Sequence, residues 1–256
     1  MTNAVDESTT SDHRFGDEPV REVERDGVHY TLLGTAHVSA TSVEAVRHHL
    51  KHGAFDEVAV ELCASRHRAL TDRDAWREMN LFAIIREGKA GMMMASLALA
   101  AYQRRIADQF GIEPGAEMKA AIDVAAETGL ALQLIDREIG TTLKRVKSRL
   151  SIWQRWVLTN GLIASLFSRH EVSAEDIERL KQGDILNETF GEFAEQSPAL
   201  YDSLIAERDR YMAARLREAR FGPEVKDVLV VIGAGHLKGL AEQELKERAD
   251  EWAKEV

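Results

Sequence analysis

His37 and His236 each stand three residues after a glycine, and each glycine closes an apolar run. The first run is Tyr30-Thr31-Leu32-Leu33, leading into Gly34-Thr35-Ala36-His37. The second is Val228-Leu229-Val230-Val231-Ile232, leading into Gly233-Ala234-Gly235-His236. Short apolar runs bounded by glycine read as buried strands. Two imidazoles delivered from two strand ends are what a shared metal or catalytic site requires, since histidine serves both as ligand and as general base. The blander alternative has the glycines making tight turns and each histidine bonding locally.

Two carboxylates occupy comparable places. Glu61 ends the run Glu57-Val58-Ala59-Val60-Glu61-Leu62, and Asp136 directly follows Ala131 to Ile135. Glu61 lies between Val60 and Leu62, and a carboxylate buried there needs a cation, a donor or water. His48, His49 and His52 form a second histidine group, with His48 and His52 one helical turn apart. Without a His-Glu-x-x-His pattern, that group reads as a solvated helix face. Cys63 reads as a small buried residue rather than a nucleophile. Gly-x-Ser-x-Gly, Walker A and dinucleotide-binding glycine patterns are absent, which removes the main support for serine-hydrolase, P-loop and Rossmann-cofactor chemistry.

The elements that must position these residues alternate between strand and helix. Val28 to Leu33 predicts a first strand, and Ser39 to Lys51 a helix with Val43, Val46 and Leu50 on one face and Ser39 or Thr41 as cap. Residues 57–62 follow as a second strand, completing a βαβ unit whose crossover implies parallel pairing. Residues 64–109 read as helical, Pro114-Gly115 as a turn, and Ala116 to Thr128 as a helix stopped by Gly129. Residues 131–135 predict a third strand. A helical insertion covers 139–222, with a capping signal at Ser173-Ala174-Glu175-Asp176. Val228 to Ile232 is the last strand, and Leu237 to Ala253 a closing helix. The expected fold is α/β: a mainly parallel sheet flanked by helices, with a large helical insertion before the last strand. In such sheets functional groups gather at the carboxyl ends of strands, where His37, Glu61, Asp136 and His236 all fall.

Composition narrows the function classes. The 256 residues suit one domain, here 28–256, after a flexible acidic N-terminal tail of 1–27 that lacks the apolar core of a signal peptide. A formal charge of −10 argues against a nucleic-acid partner. The single cysteine excludes an intramolecular disulfide and a Cys-rich zinc site, and suits a reducing, cytoplasmic compartment. The apolar stretches 91–102, with Met92-Met93-Met94, and 157–167 are too short to span a membrane and read as core helices. A helix such as 91–102 alternatively offers a face for a homodimer or a membrane surface.

Six blocks, in order, resemble the TraB/PrgY pheromone-shutdown family: Gly-Thr-Ala-His-Val-Ser (34–39), Val-Glu-Leu-Cys-x-x-Arg (60–66), Pro-Gly-Ala-Glu-Met (114–118), Asp-Arg (136–137), Glu-Arg-Asp-x-x-Met (207–212) and Val-Ile-Gly-Ala-Gly-His-Leu-x-Gly (231–239). The resemblance implies kinship with the GumN-like, erythromycin-esterase-like and ChaN-like proteins, and with Tiki proteins, which cleave Wnt as metal-dependent proteases. It carries the metal-site roles onto His37, His236 and Glu61, and matches Arg66, Arg137 and Arg208 to other family positions. Longer members continue into membrane segments, so it also implies membrane association at those lengths.

The expectation that follows is a metal-dependent hydrolase of short peptides. His37 and His236 would bind the ion, and Glu61 would bind it or deprotonate its water. Asp136 would orient a histidine, and Arg66, Arg137 or Arg208 would clamp a peptide carboxylate or steady the developing oxyanion. The ligand set suits manganese, cobalt, zinc or iron, and the resemblance favours manganese or cobalt. Two rivals stand beside it: a non-catalytic peptide-binding or regulatory protein, and a metal-independent esterase-like hydrolase with His37 as general base.

Overall fold

The computed structural model describes residues 18–35, 40–72, 113, 115–154, 156–157, 160, 191–192, 194–218 and 225–241. The expected strands all form. They are β2 (Val28–Thr35), β3 (Glu57–Val60), β4 (Ala131–Leu134) and β5 (Asp227–Gly233), preceded by β1 (Val20–Arg25). One sheet holds them in the order β1-β2-β5-β3-β4. β1 pairs antiparallel with β2, and the other neighbours pair parallel.

β5 takes the centre for a reason visible in its residues. Val228, Val230 and Ile232 pack into the core on one face, with Val23, Tyr30, Leu32, Met212 and Leu216. Leu229 and Val231 pack on the other, with Leu33, Val58, Val60 and the helices α1 (Ala40–His52) and α3 (Ala116–Thr128). A strand apolar on both faces is stable only where both faces are covered. The first βαβ unit therefore does not pair its own strands. β2 and β3 are parallel as expected, but β5 lies between them.

The helices end where local chemistry says they should. α1 finishes with Lys51 in its last turn, a cation that suits a helix carboxyl end. Thr41 lies inside α1 rather than at its start; Ser39 is outside the described residues. α3 stops at Gly129, which adopts φ +73° and returns its N–H to Ala125 O. A side chain rarely tolerates that backbone geometry, so glycine is the natural stop. α2 (Ala64–Thr71) follows β3.

Beyond β4 come α4 (Ile139–Arg149), α5 (Pro198–Tyr201), a π-helical turn (Asp202–Ala206) and α6 (Glu207–Glu218). No strand occurs among the described residues of 139–222, as an inserted helical segment requires. α7 (Ala234–Lys238) leaves β5. The part of the expected 64–109 helical stretch past residue 72, the apolar stretch 91–102, the cap at Ser173 and the closing helix past residue 241 lie outside the described residues.

One boundary differs from expectation. Residues 20–25, read as the end of an acidic tail, form β1 instead. Val23 is buried in the core and Arg21, Glu22 and Glu24 are exposed, so the alternation of an edge strand was hidden under the charge of its outer face. The consequence is measurable. Val23→Ala should lower the unfolding free energy by about 1–3 kcal/mol, as large-to-small core changes do. Denaturant titration checks this, and a change within error would return the segment to the tail.

Candidate functional site

The sheet brings four strand ends into one rim. β2 and β5 are neighbours in a register that pairs Gly34 with Ile232 and Thr35 with Gly233. The two glycine–histidine motifs thus leave the sheet side by side, and Thr35 Oγ1 donates to Ile232 O at 3.1 Å. Gly34 permits this crowding: a Cβ there would sit 3.1 Å from Pro19 Cγ and 3.2 Å from Ala234 Cα. On the other side of β5, Glu61 N donates to Val231 O at 3.0 Å, and Asp136 N donates to Leu62 O at 3.2 Å. His37 itself lies outside the described residues.

Glu61 and His236 meet at this rim. Both are buried, and Glu61 Oε1 lies 3.4 Å from His236 Nε2. The other carboxylate oxygen, Oε2, accepts the N–H of Gly233 at 2.6 Å. That bond fixes the rotamer of Glu61 and leaves Oε1 as its working atom.

The remaining polar groups come from the first turn of α6. Successive helix residues point about 100° apart, so Glu207, Arg208 and Asp209 reach three different neighbours. Arg208 donates through Nε and Nη2 to the two oxygens of Asp136, at 3.0 and 2.9 Å. Nη2 also bonds Glu61 Oε1, and Nη1 lies 2.9 Å from His236 Nε2. Asp209 Oδ1 lies 2.6 Å from His236 Nδ1.

These contacts settle the histidine tautomer. A guanidinium only donates, so Nε2 is the accepting nitrogen and the ring proton sits on Nδ1, donated to Asp209. Gly239 leaves the space Asp209 needs, because a Cβ there would collide with its Oδ2. Burial would drain charge from Arg208, but the carboxylates of Glu61 and Asp136 hold its pKa above the ordinary arginine value. Burial raises the Asp209 pKa, partly opposed by His236 and Arg208. With three carboxylates, one guanidinium and a neutral imidazole, the cluster carries a formal charge of −2.

Glu207 turns the other way. Its Oε2 accepts from Arg137 Nη1 and Arg145 Nε, both at 2.9 Å. Its Oε1 accepts from Arg145 Nη2 at 2.7 Å and Arg149 Nη2 at 2.6 Å. Arg137 adds Thr142 Oγ1 at 2.9 Å and Ser203 O at 2.6 Å. Its guanidinium therefore braces α6 against α4 and makes no bond to Glu61 or His236 among the described residues. Arg66, half-buried on α2, makes no hydrogen bond or ion pair among the described residues. Among the described residues Asp136 accepts from Arg208 and from the Arg137 N–H, and from no histidine. The carboxylate bonded to the His236 ring is Asp209, to which the sequence reading gave no role.

Donor chemistry at Glu61 and His236 fits a divalent cation. Two ligands of one tetrahedral ion, each at about 2.0–2.1 Å, stand about 3.4 Å apart, the separation found here. A carboxylate on Nδ1–H is the usual support of a metal-binding imidazole. Arg208 nevertheless bonds both donor atoms, and no group of three His, Cys, Asp or Glu side chains placed to hold a metal occurs among the described residues. His48 and His52 stack with ring centroids 4.4 Å apart on α1 and belong to no such group either.

Comparison with known proteins resolves the kinship. A match to the TraB/PrgY/gumN family spans residues 19–249. The chain belongs to that family. An uncharacterized protein of Methanocaldococcus jannaschii is 34% identical over 216 residues, covering 82% of this chain and 51% of its own length. TraB domain-containing proteins of Bos taurus and Mus musculus are 30% and 31% identical over 240 residues, covering 85% of this chain and 63% of theirs. The chain thus spans about half the length of the archaeal relative and less than two thirds of the mammalian ones.

The Glu207 cluster contributes to the acid response of this TraB-family fold. Burial alone would raise the Glu207 pKa, but the hydrogen bonds from Arg145 and Arg137 and the charge of Arg149 lower it from 4.5 to about 2. A carboxyl depressed in the folded state stabilises it fully above the unfolded value, and that contribution is lost as pH falls from 4.5 through about 2. Glu207→Gln should remove this titration, flattening the pH dependence of stability there by up to about 1.4 kcal/mol per pH unit. Urea titrations between pH 2 and 6 measure it. Parallel profiles for variant and parent would contradict the assignment.

Proposed function

We propose that this TraB-family chain is a hydrolase that works with a divalent cation held by Glu61 Oε1 and His236 Nε2, with His37 the expected third ligand. One observation carries the reading: the 3.4 Å separation of those atoms, with the far ring nitrogen fixed on Asp209. The formal charge of the surrounding side chains also favours a dication. Manganese, cobalt, zinc and iron all suit a nitrogen–carboxylate set. When bound, such an ion supplies Lewis acidity and brings the pKa of a water molecule near neutrality.

The chain's own residues supply the rest. Asp209 keeps the proton on Nδ1, so the Nε2 lone pair faces the site. Gly233 N–H pins Glu61, which either ligates or takes the proton of the attacking water. Asp136 anchors Arg208 through two parallel bonds, an arrangement that survives release of Glu61 and His236. Arg208 then presents its remaining N–H groups to a carbonyl oxygen gaining charge, which they stabilise. The choice of peptide bonds over other acyl bonds rests on the resemblance to peptide-cleaving relatives.

A second reading has its own observation. Because Arg208 bonds both donor atoms, the Asp209–His236 pair also suits a metal-free general base, with Arg208 as oxyanion clamp. Metal analysis of the purified chain, followed by digestion of a mixed peptide library read by mass spectrometry, separates the readings. Metal-dependent cleavage lost in His236→Ala and Glu61→Ala supports the first. Asp209→Asn should then weaken metal affinity or turnover about 10–100-fold, and Arg208→Lys should lower kcat without changing metal content. Cleavage that survives chelation with full activity supports the second. Saturable peptide binding without products, unaffected by metal removal, would sink both and leave a binding protein.

A further inference from the structure

The surface beyond α4 departs from the rest of the chain. Of 256 residues 43 are Asp or Glu, yet none falls between Glu138 and Glu171, a span that carries six Lys and Arg. Within it, Lys144, Arg145, Lys147 and Arg149 are exposed on α4. Arg145 and Arg149 are committed to Glu207. Lys144 and Lys147, three apart on one helix face, make no ion pair among the described residues.

Large apolar side chains follow at once. Ile152 is 82% exposed, Trp153 69%, Trp156 59% and Val157 49%, with Ile139 at 38% on the first turn of α4. The two indoles stack against each other, with centroids 5.2 Å apart and planes at 18°. An open groove lined by Leu150, Trp153, Val157, Pro198 and Leu200 runs beside them. Leaving two tryptophans and an isoleucine in water forfeits the burial energy such side chains normally contribute.

We infer that this segment, with Lys144 and Lys147 on α4 and Ile152, Trp153, Trp156 and Val157 directly after it, adsorbs onto an anionic lipid bilayer. The charge argues for that occupant: an acidic protein would be repelled by an anionic surface except through a locally basic segment. The apolar part argues the same way. Tryptophan favours the headgroup level, where the ring meets hydrocarbon and the N–H meets water, while Ile152 and Val157 reach below it. No helix among the described residues is long and apolar enough to cross a membrane, so the contact lies on the surface.

Vesicle flotation with the full chain tests the inference. Vesicles of phosphatidylcholine with one-third phosphatidylglycerol should float the protein, and pure phosphatidylcholine vesicles should not. Lys144→Glu with Lys147→Glu, and separately Trp153→Ala with Trp156→Ala, should each lower bound protein about 10-fold or more. Circular dichroism on these exposed-site variants checks that they remain folded, and 0.5 M salt should weaken binding by the wild type. Absence of flotation on anionic vesicles, or binding unchanged in both double variants, overturns the inference. So does a dimer in sedimentation that the tryptophan variants abolish while vesicles bind nothing.

Discussion

The rim of the sheet depends on one guanidinium. Glu61 and Asp136 reach it from neighbouring strand ends, both buried, and a buried carboxylate is costly without a partner of opposite charge. Arg208 supplies that charge, with a bidentate grip on Asp136 and a further bond to Glu61. It comes from α6, inside the segment inserted between β4 and β5. The insertion is therefore part of the sheet's electrostatics: without α6 the strand ends would carry unpaired buried charge. The same constraint explains why β5 must sit beside β3, since only there does Gly233 N–H reach Glu61 Oε2.

Three consecutive ionised residues on α6 divide the local charge in two. Glu207 faces the guanidiniums of Arg137, Arg145 and Arg149, and Arg208 and Asp209 face the carboxylates and imidazole of the rim. Each partner set fixes the rotation of α6 independently, so the helix cannot turn to satisfy one without breaking the other. The π-helical turn just before it serves the same geometry. Ser203 O accepts from Arg137 and Leu204 O from Arg208, giving both guanidiniums backbone acceptors at the entrance to α6. Through Glu207, α4 and its basic face are tied to the helix that carries Arg208.

Much of this was legible in the sequence, for local reasons. Strand β5 announces itself by five successive apolar residues, α3 by its helical run and terminal glycine, and the rim by polar residues that break apolar runs at strand ends. What stayed hidden is what depends on distance. Strand order is one case: β2 and β3 look like a paired unit because only their connection is visible, and the demand of β5 for two covered faces appears only in the assembled sheet. β1 is another, its buried Val23 and half-buried Val20 masked by charged neighbours. Asp209 is the instructive case. It sits among Glu, Arg and Asp on a helix, where local pattern reads as a solvated face, and nothing within a turn of it points to a histidine 27 positions away.

The two oxygens of Glu61 are not equivalent, and that asymmetry governs what the site can do. Oε2 is held by a backbone N–H that cannot move without disturbing β5. Oε1 is held by Arg208, a side chain whose bonds to Asp136 and Leu204 O also anchor it. A cation arriving at Oε1 competes with the positive charge of Arg208 there and can leave the Gly233 bond intact. His236 Nε2 is in the same position, bonded to Nη1 of that same guanidinium. A ligand that takes both atoms therefore frees two donating corners of Arg208 in one event, beside the place it has just occupied. Under the proposed function, loading the site and freeing those N–H groups would be one coupled step, set by how firmly Asp136 keeps the guanidinium in place.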